Sequence, residues 1–508
     1  MSTLAKPVFL LTVAEILFNV SGYVIHAVSG RVLGPADYGR YGLVITLTTT
    51  LIILIGNGIP TAMSRYLSEH FEGSPTSVRA IQKTAALLQA ALITVVTGVF
   101  FLLAPFTALM LGDPALKPLL RLSSLIIPAF AASSIYFYHF TGIHRFDIQA
   151  VLKMTRSILR IAITVPLIIS FKLPGAIAGY IIVPFLTFLL GLFFDWKTSA
   201  AFRSNRKEET PLTFPFRTLL VASWPITLFL LFYEIFISID LYLVQVMLED
   251  DRQTGLYNAA LNLARLPYFL FYALSIVLLP ALAKLKSEGN PEKVSALMSQ
   301  ALRYSGIILL PLAILLSAAA HPALTLFFGN QYSEAADTFR VLVFGLSLLT
   351  VFYTLSSGLI GLGHSRLPLR IALLGTLLNA TLNGILIPRF GIVGSAWAVT
   401  ISSFIVTVST FFLMQRFVKT PFHTKKVSVF MLLCFLLFLS TLPFSFDTFS
   451  SFFVAAGLGG FFLLLLFSAR ILTEEDIALL SSLLRRKKGS SKENTKAPSL
   501  DINEDSRP

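Results

Sequence analysis

The amino-acid sequence predicts an all-α polytopic membrane protein of about 14 transmembrane helices, two parallel six-helix bundles plus two C-terminal helices. Three observations lead there. Of 508 residues, 55% are hydrophobic and only 13% are charged, about half the roughly 25% charged share of soluble domains. Apolar runs long enough to cross a bilayer recur along the whole chain, with basic residues gathered in every second gap. Residues also coincide in order when the chain is shifted by 216 positions.

A bilayer core takes about 20 apolar residues in a helix. The first six candidate spans cover residues 8–28, 41–64, 84–110, 119–140, 154–171 and 175–196. The next six cover 219–248, 256–282, 302–320, 339–362, 367–387 and 394–417, and the last two 427–442 and 452–469. These runs are continuous rather than alternating, so they read as helices and not as barrel strands. The single cysteine, Cys434, lies in an apolar run and excludes an internal disulfide or a Cys-rich metal site. No cleavable signal peptide is expected, because the first apolar run is too long.

The net charge of +14 would suggest nucleic acid in a soluble chain. Here the charge follows topology, and no nucleic-acid partner is expected. Loops on the N-terminal side hold most of the Lys and Arg, among them Arg65, Arg79, Lys153, Lys197, Lys284, Arg366 and Lys425. Loops on the far side hold few, such as Arg31, Arg40, Lys117 and Arg252. The positive-inside rule makes the N-terminal side cytoplasmic, with both termini there, in a multi-pass protein of the cell membrane.

In the repeat, Gly39 meets Gly255, Tyr41 meets Tyr257, Pro75 meets Pro291, Gly142 meets Gly358 and Gly175 meets Gly391. A unit of six spans returns the chain to its starting side, so the halves share one orientation. The expected domains are 1–200 (first bundle), 201–218 (cytoplasmic linker), 219–420 (second bundle), 421–472 (helices 13 and 14) and 473–508. The last segment reads as a short amphipathic surface helix, capped by Thr473 and ended by Arg485–Lys488, followed by a disordered tail.

Polar residues inside spans are expensive and mark function by default. Span 8 carries Asn258, Asn262 and Arg265 at i, i+4 and i+7, on one helical face. Arg265 lies ~14 Å into the span, near the membrane centre. It either grips an anionic cargo or pairs with Asp240 or Glu234 on span 7. Glu15 and Glu234 are the deepest acids within spans and Asp240 lies nearer the far side, and each is a candidate for taking up a proton or sodium ion. Lys153, Arg156 and Arg160 share a face of span 5, either drawing an anion to the mouth or acting as topology flanks. Asn379 and Asn383 make a polar face on span 11, suited to sugar hydroxyls or to helix packing. No phosphate-cradling GxxxxGK[ST] loop occurs, so ATP hydrolysis is not expected, and no cofactor beyond a proton or sodium gradient is implied.

The stretch Leu33-Gly34-Pro35-Ala36-Asp37-Tyr38-Gly39 resembles the LGPxxYG signature of the polysaccharide transporter family, the oligosaccharide flippases. That family belongs to the multidrug/oligosaccharidyl-lipid/polysaccharide exporter superfamily. Ser238-Ile239-Asp240, followed by Gly255-Leu256-Tyr257-Asn258-Ala259-Ala260, resembles a second stretch of it. The resemblance implies a non-enzymatic transporter, an antiporter-like flippase. Its cargo would be a polyprenyl-diphosphate-linked oligosaccharide moved from the cytoplasmic to the outer leaflet for cell-surface polysaccharide biosynthesis. It also implies membrane lipids as surroundings, and glycosyltransferases or a polymerase as neighbours. A lipid II-type flippase and an ion-coupled drug exporter are alternatives within the superfamily. A membrane-embedded polyprenyl-dependent glycosyltransferase or polymerase is the alternative of another class, but the far-side loops are short and poor in the acids that such chemistry needs.

Overall fold

A computed structural model describes residues 5–56, 58–70, 75–203, 215–418, 424–442, 451–469 and 471. The expected surface helix and tail of 473–508, and most of the linker 201–218, lie outside these residues. Fifteen α-helices are described. The first half holds α1 (Ala5–Gly56), α2 (Gly58–His70), α3 (Pro75–Met110), α4 (Leu116–Ser123), α5 (Ile126–Gly142) and α6 (Phe146–Arg203). The second holds α7 (Phe216–Leu248), α8 (Asp251–Ala264), α9 (Leu266–Ser287), α10 (Pro291–Ala318) and α11 (Ala320–Phe328). After a 3-10 turn, Asn330–Ala335, come α12 (Ala336–Gly361) and α13 (Arg366–Gln415). Then α14 (Thr424–Thr441) and α15 (Ser451–Ser468) pack on α10.

Three of these helices are hairpins. In α1 the backbone leaves the helical region at Gly34, φ 76°. His26 and Tyr41 would lie ~22 Å apart along a straight helix at 1.5 Å per residue, yet their rings are 5.8 Å apart. The chain therefore folds back at Gly34. Lys172 (φ 53°) reverses α6, and Gly391 (φ 58°) reverses α13. The second arm of α1 continues into α2, α4 with α5 and α8 with α9 each form one broken span, and the nine-residue α11 is too short to cross, so the described helices resolve into the fourteen crossings expected. The exposed belt is apolar, including Leu102, Leu109, Phe453 and Leu464. Water would not tolerate a surface of that extent, whereas lipid does.

The duplication is visible in the turns. Gly39 and Gly255, matched by the repeat, touch each other. A Cβ on Gly255 would lie 1.7 Å from the Pro35 carbonyl oxygen, and one on Gly39 2.4 Å from that of Asp251. A self-complementary contact between equivalent residues is what a two-fold axis produces. Further along, the register changes by three residues. The left-handed His144 after α5 corresponds to Gly363 after α12, and Lys172 corresponds to Gly391. Gly175 therefore matches Gly394, not Gly391. Both lie where the two arms of a hairpin meet, with a Cβ on Gly175 falling 1.9 Å from the Leu167 carbonyl and one on Gly394 2.2 Å from that of Leu386. Gly175→Val is accordingly expected to splay the α6 hairpin and to lower the Tm by several degrees, read by thermal unfolding in detergent.

Candidate functional site

A cavity of about 310 Å³ lies between the two halves. Phe18, Gly22, Tyr23 and His26 of α1 line one wall, with Thr46 and Thr49 from its second arm. Arg160 and Tyr180 close in from the two arms of α6. The second half contributes Glu234, Asn258, Asn262 and Arg265.

Arg265 sits at a helix break. Pro267, which has no N–H to donate, falls at the start of α9, so α8 ends with Arg265 as its cap. Its Nη2 donates to the Ile237 carbonyl (3.1 Å) and the Ser238 hydroxyl (3.2 Å). Its Nε is buried and has no hydrogen-bond partner among the described residues. The alternative, an ion pair with Asp240 or Glu234, is not formed. Ser238 stands between instead, its Oγ donating to Glu234 at 3.4 Å. Asn262 donates to the carbonyl and the amide oxygen of Asn258, both at 2.8 Å. Asn258 donates to the Tyr38 carbonyl at 3.1 Å and thereby ties α8 to α1. Gly42 makes that approach possible, since a Cβ there would lie 2.4 Å from the Asn258 amide.

Arg160 faces Arg265 from the other half. It donates to the Tyr180 hydroxyl at 2.7 Å, and its guanidinium lies 5.1 Å from the Tyr180 ring and 5.4 Å from Phe18. Phe18 also carries Lys153 and Arg156, each at 5.5 Å. Arg156 is only 7% exposed and lies 4.2 Å from the Phe130 ring. This row of cations thus points inward, which a plain topology flank would not do. With two arginines and one glutamate among its lining residues, the cavity is positive.

Four predicted residues fall elsewhere. Glu15 pairs with Lys153, outside the cavity lining. Asp240 is fully buried and accepts the Tyr257 hydroxyl, and its Oδ1 has no partner among the described residues. Asn379 and Asn383 do not reach the cavity. Asn379 donates to the Phe236 carbonyl (3.2 Å), and Asn383 donates to Asn379 and accepts from Ser395 (2.6 Å). Their face of span 11 turns toward α7 and the returning arm of α13, so the sugar-binding expectation has no geometric support. Sequence reasoning missed Tyr23, His26 and Tyr180. Phe18, Gly22 and His26 recur every four residues, the spacing of one helical face, and that stripe was the available signal.

Toward the far side the cavity is sealed. Tyr38 stacks on Tyr41 (5.7 Å between centroids) and meets Phe328 (5.4 Å) and Tyr332 (5.9 Å). Tyr332 donates to the Gly30 carbonyl at 2.8 Å. Arg31 reaches the carbonyls of Leu326 and Phe327. Arg40 holds Asp37 (3.2 Å), Asp113 (2.7 Å) and, across the two halves, Asp251 (2.6 Å). Burial pushes the Asp251 carboxyl up and the Arg40 charge opposes that shift. The acidic run at the start of α8 is therefore structural. Glu249 ends α7 in the left-handed region, Asp250 caps α8 by accepting from Arg252 and Gln253, and Asp251 bridges the halves.

Known proteins share this architecture. Residues 4–286 match the family described as Polysaccharide biosynthesis protein, and residues 225–385 match MatE. The Succinoglycan biosynthesis transport protein ExoT of Rhizobium meliloti is 25% identical over 344 residues, 67% of this chain and 66% of that protein. The membrane protein MJ1068 of Methanocaldococcus jannaschii is 27% identical over 170 residues, and the chain spans only 33% of its length. The lipid II flippase MurJ in an inward closed conformation shares the fold, with a TM-score of 0.70 at 17% identity, covering 94% of this chain and 99% of that one. With more than half its length matched, this polytopic helical chain belongs to the polysaccharide biosynthesis protein family of membrane proteins.

Proposed function

We propose that this protein flips a polyprenyl-diphosphate-linked saccharide from the cytoplasmic to the outer leaflet by alternating access. One observation carries the reading. Arg160 and Arg265 face a common cavity from opposite halves, sealed on the far side by contacts that join those halves. An arginine at mid-bilayer costs about 2.5–3.5 kcal/mol on insertion scales, so two that serve only packing would be an unexplained burden. A diphosphate diester carries two negative charges, and a guanidinium pairs with phosphate through two parallel hydrogen bonds. Rocking of the halves would expose these groups to each side in turn. The positive-inside distribution supports a cytoplasmic N-terminal side. Membership of the family and the fold shared with a lipid II flippase support the cargo class. A lipid II-type cargo fits the same geometry. A cationic drug does not, because both arginines would repel it. No covalent step is needed, and the enzymes that build and polymerise the saccharide would act at the two faces.

Coupling to a proton or sodium gradient would fall to Glu234 in the cavity and to Asp240, whose Oδ1 has no hydrogen-bond partner among the described residues and could take an ion or proton. Glu15 is already engaged by Lys153. The test uses sealed vesicles holding the purified protein and a fluorescent polyprenyl-diphospho-saccharide. The label is expected to change leaflet with its mass unchanged, and faster under an imposed gradient. A change of mass would point to an enzyme. An unaltered leaflet distribution would remove the transport reading, and equal rates with both gradients collapsed would remove the coupling roles.

A further inference from the structure

His26 lines the cavity together with Arg160 and Arg265, and one of its ring nitrogens is tied into the far-side seal. Its Nδ1 lies 3.0 Å from the Tyr38 hydroxyl. Tyr38 is fully buried within the aromatic seal, and its ring has no freedom to turn away. Among the described residues the Tyr38 hydroxyl makes no other hydrogen bond, and a buried phenol proton left without an acceptor is costly. The Tyr38 hydroxyl therefore gives its proton to His26 Nδ1. A neutral imidazole whose Nδ1 accepts must carry its proton on Nε2. That nitrogen has no partner among the described residues and is not one of the enclosed polar atoms, while the ring lines the cavity. The ring is also packed edge-on against Tyr41, 5.8 Å between centroids, which fixes its direction.

We infer that His26 is a neutral third donor of the binding site, giving its Nε2–H to a diphosphate oxygen held between Arg160 and Arg265, with Tyr38 as the positioning residue that sets the tautomer. The inference rests on the diphosphate reading of the cavity and adds to it a rule of charge matching. Two guanidiniums balance the two charges of a diphosphate diester. A neutral donor then supplies direction without a third positive charge. A flippase must release what it binds, so extra attraction that persists through the whole cycle lowers turnover rather than raising it. The arrangement also favours a diphosphate, which reaches both arginines and the imidazole, over a single phosphate.

Glutamine and asparagine variants separate the two ring nitrogens. His26→Gln places an amide donor near the Nε2 position, and His26→Asn places one near Nδ1, toward Tyr38. The full chain in lipid nanodiscs is titrated with a short-chain prenyl-diphospho-N-acetylglucosamine and with its prenyl-monophospho counterpart. His26→Gln is expected to bind the diphosphate within about twofold of the native protein, and His26→Asn about tenfold more weakly. The monophosphate should bind weakly throughout. His26→Lys is expected to tighten diphosphate binding yet slow flipping in vesicles, a split between affinity and turnover that a packing role does not produce. Equal affinities for the Gln and Asn variants, or a Lys variant that is unchanged in both measurements, would overturn the assignment. Arg265→Gln is titrated alongside. If it binds the diphosphate as the native protein does, the diphosphate reading itself fails. If it weakens binding while the His26 variants do not, only the role of His26 is lost.

Discussion

Arg265→Ala is expected to reduce flipping by roughly a hundredfold or more, with normal membrane insertion and folding. The size follows from removing paired charge-assisted hydrogen bonds to an anionic cargo in a poorly hydrated site, where each is worth more than a neutral bond. The fold should survive, because the helix break at this position is set by Pro267 and not by the arginine side chain. Arg265 does donate to the Ile237 carbonyl and to Ser238, so a modest fall in Tm is expected as well. Arg265→Lys tests charge against geometry. A lysine keeps the charge but loses the planar fork, and should recover only part of the activity. The check is the vesicle assay at matched protein density. Full flipping by the alanine variant would take Arg265 out of the site.

The second large effect concerns closure. Gly255→Ala puts a methyl group 1.7 Å from the Pro35 carbonyl and 3.1 Å from the Gly39 nitrogen. Neither is the far end of a side chain that can swing aside, so the halves must separate by more than an ångström on the far side. Arg40 would then lose its bridge to Asp251, and Tyr332 its bond to Gly30. The variant is expected to hold the far side open and to lose at least about tenfold in flipping rate, since a state required once per cycle is no longer reached. Gly306→Ala is the control. No atom lies within 4 Å of a Cβ there, and transport should be unaffected.

The crossings were legible because lipid imposes a simple rule of length and polarity, and the halves were legible because duplication left Gly39 and Gly255 in register. Asn258, Asn262 and Arg265 could be placed on one face because α8 is regular up to its cap. The same periodicity on span 11 left sugar binding and helix packing both open. Asn379 and Asn383 do share a face, but which neighbour a face meets is a tertiary fact, and here the neighbours are the Phe236 carbonyl and Ser395. The inward turn of Arg156 was hidden for the same reason, since a basic residue near a span end satisfies the topology rule whichever way it points. The three-residue change of register could not be seen by matching glycines alone. The left-handed turn filled by His144 and Lys172 in one half is filled by Gly363 and Gly391 in the other. The stripe of Phe18, Gly22 and His26 hinted at a face, but the partner of His26, Tyr38, is brought beside it only by the hairpin at Gly34.

Access to the cavity from each face is the most direct measurement. Cys434, the native cysteine, is replaced by serine, and Thr49, which lines the cavity, by cysteine. A membrane-impermeant thiol reagent is then applied to one side of sealed vesicles at a time. Alternating access predicts labelling from the N-terminal side at rest, and from the far side once saccharide-lipid cargo is supplied. A thiol that stays unreactive from both sides, with and without cargo, would contradict the presence of a passage between the halves.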